Sequence, residues 1–273
     1  MRTRPFIISI ISFLLLLSFS SAYAADFAKG LAAAKNGDFV TAIKEWEPLA
    51  EQGNVKAQWI IGTMYNNGEG LPQDYKKAIY WLSKAADQGH LNAQFLLGNA
   101  YRTGNGVLQE PSKAVYWYTK AGDQGETPAQ FNLGNMYYSG DGIPQDYQKA
   151  VYWYTKAAKQ GDVLAQYNLG NIYYKGEGVQ KNNELSAKFL TEAAERGFGN
   201  AQFNLALRYY FGEGVPKSKK NAYIWSSLAA KNGIKDGEQN TKAIASELTI
   251  QEVKEADAEV TRKYALIADG KQS

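Results

Sequence analysis

The sequence of 273 residues contains no cysteine and a single histidine, His90. Without cysteine the chain has no disulfide bond, no thiolate metal site, no cysteine nucleophile and no lipid attached to cysteine. A Ser–His catalytic pair would depend on His90, which we expect to be exposed in a turn, and no Gly-x-Ser-x-Gly motif accompanies it. We therefore predict no catalytic residue, no metal ion and no cofactor.

The chain has only one long apolar run, Phe6–Phe19, at its N-terminal end. Arg2 and Arg4 precede this run, and small residues ending at Ala24 follow it, which is the layout of a secretory signal peptide. An uncleaved anchor is the alternative, but the run is shorter than the roughly 20 residues that a spanning helix needs. We predict that residues 1–24 are a signal peptide and that the exported chain is periplasmic or secreted, without stable membrane insertion.

Net charge is also low. Removal of the two N-terminal arginines lowers the formal charge from +3 to +1. A nearly neutral protein lacks the basic surface that nucleic-acid binding requires, and the cluster Lys217–Lys220 is better interpreted as a solvated loop. We predict no nucleic-acid partner.

The most informative feature that is present is a repeat of 36 residues. Each copy opens with Ala-Gln, has tyrosine at its ninth place, and has glycine at its twelfth and fourteenth places, counted from the first residue of the copy. The five copies are Ala57–Asn92, Ala93–Pro128, Ala129–Leu164, Ala165–Asn200 and Ala201–Asp236. A fixed period of this length predicts a solenoid.

The paired glycines raise a functional question, as in Tyr137–Asp146, which reads YYSGDGIPQD. Such a segment could cradle a phosphate, hold a cation or turn the chain. None of the five pairs follows a strand-like run or precedes Gly-Lys-Ser/Thr, and the acid between the glycines varies. Since glycine permits the left-handed conformation that ends a helix, we predict that all five pairs are turns.

Each copy predicts a short helix, a glycine turn and a longer helix. In the segment Pro128–Tyr138, Ala129, Leu133 and Met136 lie on one helical face, and Asp146 suits the N-cap of the second helix. Neither helix buries its apolar face alone, so stacked copies must form the core. The predicted fold class is all-α, a right-handed solenoid of stacked helix-turn-helix repeats.

The two ends differ from the repeats. We assign residues 25–56 to a leading helix pair, residues 57–236 to the five repeats and residues 237–273 to C-terminal capping helices. Thr249 and Glu252 form a capping-box pattern. An apolar stripe follows them, consisting of Ile250, Val253, Val260, Tyr264 and Ile267. We expect this helix to cap the solenoid, and a partner-binding amphipathic helix is the alternative.

The repeats resemble a known family. Leu133–Tyr137 (LGNMY) and Ala150–Ala157 (AVYWYTKA) match the tetratricopeptide signature, and the longer glycine-rich turn is typical of its Sel1-like repeat relatives. The resemblance extends from Phe39 to about Asp236, with departures at Ala206 and Arg208. It implies a non-catalytic adaptor, which in exported bacterial members is associated with envelope functions and host-cell contacts. A cysteine-rich branch linked to penicillin hydrolysis does not fit a chain without cysteine.

In the related repeats, first helices line the concave surface, and here places 3, 4, 7, 10 and 11 lie opposite the apolar arc. Amides donate and accept hydrogen bonds and tyrosines add rigid contact area, so this stripe predicts a binding surface for a protein or peptide. The predicted partner-binding residues are Asn99, Arg102, Asn135, Tyr138, Tyr167, Asn168, Asn171, Tyr174 and Tyr210. Alternatively, the place-3 rings wedge between helices and the asparagines bond only to neighbouring repeats.

The sequence thus predicts a non-catalytic protein–protein interaction scaffold of the bacterial envelope, or a secreted factor that contacts host proteins. Replacing Asn135 and Asn171 by alanine should then weaken a ligand while leaving the thermal melt nearly unchanged. The alternative from another class is a glycan- or peptidoglycan-acting enzyme with two distant carboxylates. The identity of the partner stays open.

Overall fold

The computed structural model describes residues 27–270, so the predicted signal peptide lies outside the described residues. The first helix, α1, spans residues 27–35. The others are α2 (Phe39–Glu51), α3 (Val55–Asn67), α4 (Tyr75–Asp87), α5 (Leu91–Thr103), α6 (Pro111–Asp123), α7 (Thr127–Ser139), α8 (Tyr147–Lys159), α9 (Val163–Lys175), α10 (Asn183–Glu195), α11 (Gly199–Phe211), α12 (Lys219–Lys231), α13 (Lys235–Ala245) and α14 (Ile250–Gly270). No strand occurs between residues 27 and 270, and the predicted all-α class is confirmed.

The first and second helices of a repeat are equal in length, at 13 residues each in the fourth repeat, so the prediction of a shorter first helix is wrong. The first helices begin two residues before the first place of each copy. In the fourth repeat α9 begins at Val163, because the carboxylate of Asp162 accepts a hydrogen bond from the Ala165 N–H at 2.7 Å and caps the helix. An upstream side chain therefore adds half a turn to the helix.

Capping residues also start the second helices where the sequence predicts them. Asp74, Asp146, Asn182 and Ser218 each accept a backbone N–H three residues further on. In the second repeat Glu110 makes no such bond and Pro111 occupies the first helical turn instead.

The paired glycines are turns, as predicted. The first glycine of a pair ends the preceding helix in the left-handed conformation, as at Gly104 with φ 81°. The second glycine allows close approach to the preceding repeat, since a Cβ at Gly106 would lie 2.6 Å from the Cβ of Tyr75. Among residues 27–270 no group of three or more His, Asp or Glu side chains could hold a metal ion.

The chain divides into two compact units at Glu126 and Thr127, which is a boundary between repeats. In the N-terminal unit (α1–α6), consecutive helices from α2 to α6 pack against one another. Their core is formed around Trp46, Ile61 and Leu97, which are nearly fully buried.

In the C-terminal unit (α7–α14), consecutive helices from α7 to α13 pack in the same way, and α14 packs on α12. Tyr154, Leu169, Leu205, Trp225 and Leu228 lie in its core. Packing of each helix on its neighbours along the chain is the organisation of a helical solenoid. The predicted solenoid of helix-turn-helix repeats is therefore confirmed.

A glycine at place 6 sets the closest packing within a repeat. A Cβ at Gly134 would lie 2.4 Å from the ring of Tyr154, the place-26 residue of the second helix. Gly98 and Tyr118 repeat this arrangement with the same 2.4 Å separation. In the fifth repeat the alanine at place 6, Ala206, shares its repeat with a small place-26 residue, Ser226. A larger residue at place 6 therefore accompanies a smaller residue at place 26.

Side-chain amides connect neighbouring repeats at their ends. In the N-terminal unit the Gln88 Nε2 donates to Gln58 Oε1 at 2.8 Å and to the Gly53 carbonyl at 3.1 Å. One repeat later, Gln124 makes the equivalent bonds to Gln94 and Gly89, at 2.8 and 3.0 Å. The oxygen of each buried place-2 glutamine is thereby satisfied within its own repeat, and the bond to the glycine carbonyl joins that repeat to the preceding one.

The C-terminal helix α14 begins at the predicted capping box, where the Thr249 N–H donates to Glu252 at 2.8 Å. Its buried face matches the predicted stripe in part, since Val260 is 3% exposed and Val253 packs against the core. Ile250 is 91% exposed, whereas Ala256 is fully buried. Ile250 is the first helical residue and lies before the part of the helix that packs on the core. No helix within residues 27–270 has both the length and the apolarity needed to cross a membrane.

Candidate functional site

Two predicted partner-binding residues lie in the N-terminal unit, and both contact the phenol of Tyr118. The Tyr118 hydroxyl donates to Asn99 Oδ1 at 2.7 Å, and Arg102 Nε donates to the same hydroxyl at 3.2 Å. Tyr118 is fully buried, while Asn99 is half-buried and Arg102 is exposed. Asn99 therefore accepts the hydrogen bond of a buried tyrosine hydroxyl in its own repeat, whereas the Arg102 side chain contacts that hydroxyl and is also exposed to solvent.

The third repeat, in the C-terminal unit, has the same pair. The Tyr154 hydroxyl donates to Asn135 Oδ1 at 2.7 Å, and Tyr154 is 1% exposed. Burial raises the pKa of the Tyr154 phenol, and a hydrogen bond from the Asn168 side chain acts in the opposite direction. Asn135 and Asn168 are thus placed beside a neutral, buried phenol.

Asn171 has a different partner, because the fourth repeat carries Leu190 in place of the tyrosine. Its Oδ1 accepts a hydrogen bond from Asn204 Nδ2 at 3.0 Å, in the following repeat. The amide oxygens of Asn99, Asn135 and Asn171 consequently all have internal partners. The Nδ2 group of Asn135 donates no hydrogen bond within residues 27–270 and stays available to a ligand.

These contacts correct the expectation that the variant lacking both Asn135 and Asn171 would keep its thermal melt. Asn135→Ala would leave the buried hydroxyl of Tyr154 without its acceptor, which costs about 1–3 kcal/mol. A loss of ligand binding in that variant could therefore follow from loss of structure alone.

A signal for the internal pairing is present in the sequence. The two repeats with tyrosine at place 26, Tyr118 and Tyr154, are both among those with asparagine at place 7. Where place 26 is serine, at Ser226, place 7 is Leu207. Inspection of each place separately missed this relationship, which comparison of pairs of places would have found.

Two of the three tyrosines at place 10, Tyr138 and Tyr210, bond to carboxylates further along the chain. The Tyr138 hydroxyl donates to Glu177 Oε2 at 2.9 Å, and Glu177 is the acid between the paired glycines of the next repeat. The Tyr210 hydroxyl donates to Glu247 Oε1 at 2.8 Å. Burial, followed by the bond to Glu177, raises the pKa of Tyr138, and the bond to Glu247 raises the pKa of Tyr210. Both phenols are therefore neutral donors over the physiological pH range.

Tyr174 is covered on one face by a buried arginine. The guanidinium carbon of Arg208 lies 3.5 Å from the centre of the Tyr174 ring, and Arg208 Nη1 lies 2.8 Å from Glu213 Oε2. Arg208 is only 6% exposed. The charge in a core-like place is thus paired with a carboxylate and an aromatic face.

The place-3 rings pack against neighbouring residues. The rings of Tyr167 and Phe198 are 5.0 Å apart in an edge-to-face arrangement, and Trp59 stacks on His90 at 5.0 Å. These contacts correspond to the wedging alternative. Of the predicted residues, Tyr167 is therefore part of the packing between helices.

Phe211 is the residue of this face that the sequence reasoning did not name. It is 61% exposed at place 11, next to the predicted residue Tyr210. The other repeats have polar residues at place 11, namely Asn67, Thr103, Ser139 and Lys175. The single apolar side chain in a polar column was the signal that could have identified it.

His90 is half-buried, so the expectation of an exposed histidine is wrong. Its Nδ1 accepts the Ala93 N–H at 3.4 Å as the N-cap of α5, the role that Asn54 has in α3. His90 thus has a structural role, as an N-cap that stacks on Trp59.

The His90 cap predicts an acid-sensitive stability. Burial lowers the pKa of His90 below its ordinary value of 6.5, so the unfolded chain binds the proton more readily than the folded one. Stability is then fully present above pH about 6.5 and falls as the pH drops through the folded pKa, by less than the roughly 1 kcal/mol of an N-cap. Thermal melts between pH 7.5 and 5.5 should show this fall in the wild type, and His90→Asn should reduce it. Equal pH dependence in both proteins would contradict the assignment.

Comparison with known proteins shows what this arrangement of repeats is similar to. The Sel1 repeat model matches residues 55–90, 91–126, 127–162, 163–198 and 199–234, two residues upstream of the copies defined above. The structure of a Sel1 repeat protein from Oxalobacter formigenes is similar, with 34% identity, a TM-score of 0.68, and coverage of 76% of this chain and 85% of that one. No curated protein matches the chain.

A second similar structure is c5321, a protective antigen present in uropathogenic Escherichia coli strains and displaying an SLR fold. The identity is 27%, the TM-score is 0.53, and the match covers 91% of this chain and 62% of that one. Sel1 repeat proteins generally mediate protein–protein interactions and are generally not enzymes. With five matched repeats and a relative at 34% identity, this chain belongs to the Sel1 repeat family.

Proposed function

We propose that this protein is a non-catalytic scaffold that binds a protein or peptide partner through the first-helix face of its C-terminal unit. The observation that carries the proposal is Phe211, a large apolar side chain that is 61% exposed in an otherwise polar column. Tyr210 lies beside it, and Tyr138 and Tyr174 occupy the same place in earlier repeats. Rigid aromatic side chains with polar atoms in reach are typical of recognition surfaces.

The internal contacts narrow the predicted surface. The oxygens of Asn99, Asn135 and Asn171 and one face of Tyr174 serve the fold, so they hold the surface in shape. The partner would contact what is left exposed on the first-helix face of the C-terminal unit. A surface held by its own hydrogen bonds is pre-organised, which lowers the entropy cost of binding.

Photocrosslinking tests the binding face. A photoreactive phenylalanine at position 211, in cells that produce the chain, should give a discrete adduct with a partner protein. The matched control is position 152, where Tyr152 is 52% exposed on the second helix of the third repeat. An adduct at both positions, or at neither, would contradict the proposed face.

The variant Phe211→Ser supplies the second readout, because serine is the residue at this place in the third repeat, Ser139. Since Phe211 is largely exposed, its unfolding free energy should change by no more than about 0.5 kcal/mol. Partner capture in this variant should fall with the fold intact.

We further propose that the protein is exported and acts in the bacterial envelope or outside the cell. The N-terminal charge and hydrophobicity pattern supports this, as does the likeness to a protein described as a protective antigen. Fractionation of cells that express the full chain should recover the protein from the periplasm or the medium. A chain that lacks residues 1–24 should stay in the cytoplasm, and the same distribution for both would contradict export.

A further inference from the structure

A cavity of about 230 Å³ lies between α11, α12 and the end of α13 in the C-terminal unit. Its walls include Ala206, Leu207 and Tyr210 from α11, Ser226 from α12 and Asn240 from α13. The volume is below the range of sites for drug-sized ligands, about 300–1,000 Å³, and suits a single side chain.

The cavity lies beside the position that the place-26 tyrosine occupies in the second and third repeats. In the third repeat, place 26 is Tyr154, whose ring packs on Gly134 and whose hydroxyl reaches Asn135. In the fifth repeat the same three places hold Ser226, Ala206 and Leu207, all of which line the cavity. The methyl group of Ala206 replaces part of the missing ring, and the cavity of about 230 Å³ lies against these three residues.

Two polar groups stand where a phenol would need them. The Ser226 hydroxyl is fully buried and forms no hydrogen bond with any described residue, which is unfavourable without a ligand. Asn240 follows Asn204 by one repeat length, at the place that Asn168 occupies beside the phenol of Tyr154. The apolar walls thus carry a buried hydroxyl and an amide.

We propose that this cavity binds the side chain of a tyrosine in the partner segment, which occupies the place that Tyr118 and Tyr154 occupy in their own repeats. This inference rests on the proposed function and adds the chemistry of the partner. The ring contacts Leu207 and Ala206, the phenol meets Asn240 and Ser226, and the exposed Phe211 packs against residues next to the tyrosine.

The test uses N-acetyl-L-tyrosinamide as the probe, titrated into the full mature chain labelled with ¹⁵N. Chemical-shift changes should concentrate at residues around Ala206, Ser226 and Ala243. N-acetyl-L-phenylalaninamide, without the hydroxyl, should bind several-fold more weakly, and N-acetyl-L-serinamide should cause no localised change. Absence of localised shifts with the tyrosine probe would overturn the proposal.

A variant that fills the cavity with its own ring provides the decisive comparison. Ala206→Gly combined with Ser226→Tyr recreates the glycine–tyrosine pair of the third repeat, and it should weaken probe binding at least tenfold while raising the melting temperature. Ser226→Ala is the matched variant that keeps the cavity and removes only the hydroxyl, so it should weaken probe binding less than the filled variant does. Ala243→Phe fills the cavity from its exposed wall, should weaken the probe equally, and serves if the double variant fails to fold. Unchanged probe affinity in a folded filled variant overturns the proposal.

The two proposals fail separately. If the adduct at position 211 forms in the wild type and persists at full yield in the filled variant, the scaffold function stands and the tyrosine pocket is wrong. If no adduct forms at position 211 while the probe binds the cavity, the pocket stands and the proposed binding face is wrong.

Discussion

Tyr154→Ser is expected to lower the free energy of unfolding by about 3–5 kcal/mol, the cost of removing a large buried aromatic side chain. Tyr154 is 1% exposed, packs on Gly134 and donates to Asn135, so its removal leaves a cavity and an unused acceptor. Urea unfolding followed by tryptophan fluorescence measures the change. Tyr154→Phe should cost only about 1 kcal/mol, because it keeps the ring and loses one hydrogen bond.

Gly134→Ala tests the same contact from the opposite helix. The added methyl would lie 2.4 Å from the Tyr154 ring, and overpacking of this kind costs about 1–3 kcal/mol. Once the ring is absent the methyl has room, as Ala206 has beside Ser226. The double variant should therefore be no less stable than Tyr154→Ser alone. Additive losses would show that the glycine does not serve the tyrosine.

Glu213→Gln is expected to destabilise the protein by about 3–5 kcal/mol, because it leaves the buried guanidinium of Arg208 without its counter-charge. Arg208→Met should be close to neutral or stabilising, since the equivalent places of the first and third repeats hold the buried residues Met64 and Met136. Glu213 keeps 31% of its side chain exposed, so its carboxylate can turn towards solvent when the arginine is removed. Chemical unfolding of the two single variants measures this asymmetry.

The opposite order of stability would contradict this account. If Arg208→Met were the more damaging variant, the ion pair with Glu213 and the contact with the Tyr174 ring would contribute net stability. The interactions of the buried Arg208 would then more than offset the free-energy cost of removing its charge from water.

The fold was predictable because its determinants are local and occur several times. Asp146, Asn182 and Ser218 each cap a helix through a bond to a residue three positions away, and glycines end helices through their own backbone conformation. Because each feature recurs every 36 residues, every copy supports the prediction made from the others. The predicted lengths of the first helices were wrong because their N-cap residues lie upstream of the first place. Asp162, for example, caps α9 but belongs to the preceding copy, Ala129–Leu164.

The binding stripe was harder to predict because its residues take their roles from partners distant in sequence. Asn135 accepts from a hydroxyl 19 residues away, and Tyr138 donates to a carboxylate 39 residues away. Helical periodicity places a residue on a face, but it does not say whether a side chain there is already bonded. Ile250 shows the related limit, since it lies on the apolar stripe of α14 but precedes the part that packs.

The glutamine bridges between repeats have a consequence for how such a chain changes in length. Gln88 and Gln124 each bond to residues 30 and 35 positions earlier, with the same geometry in both cases. An insertion of a few residues between bridged partners displaces one end of each bridge, whereas duplication of a whole 36-residue repeat recreates every bridge. Evolution can therefore lengthen this protein by duplication of DNA that encodes one repeat, with each new repeat bonded to its neighbour from the outset.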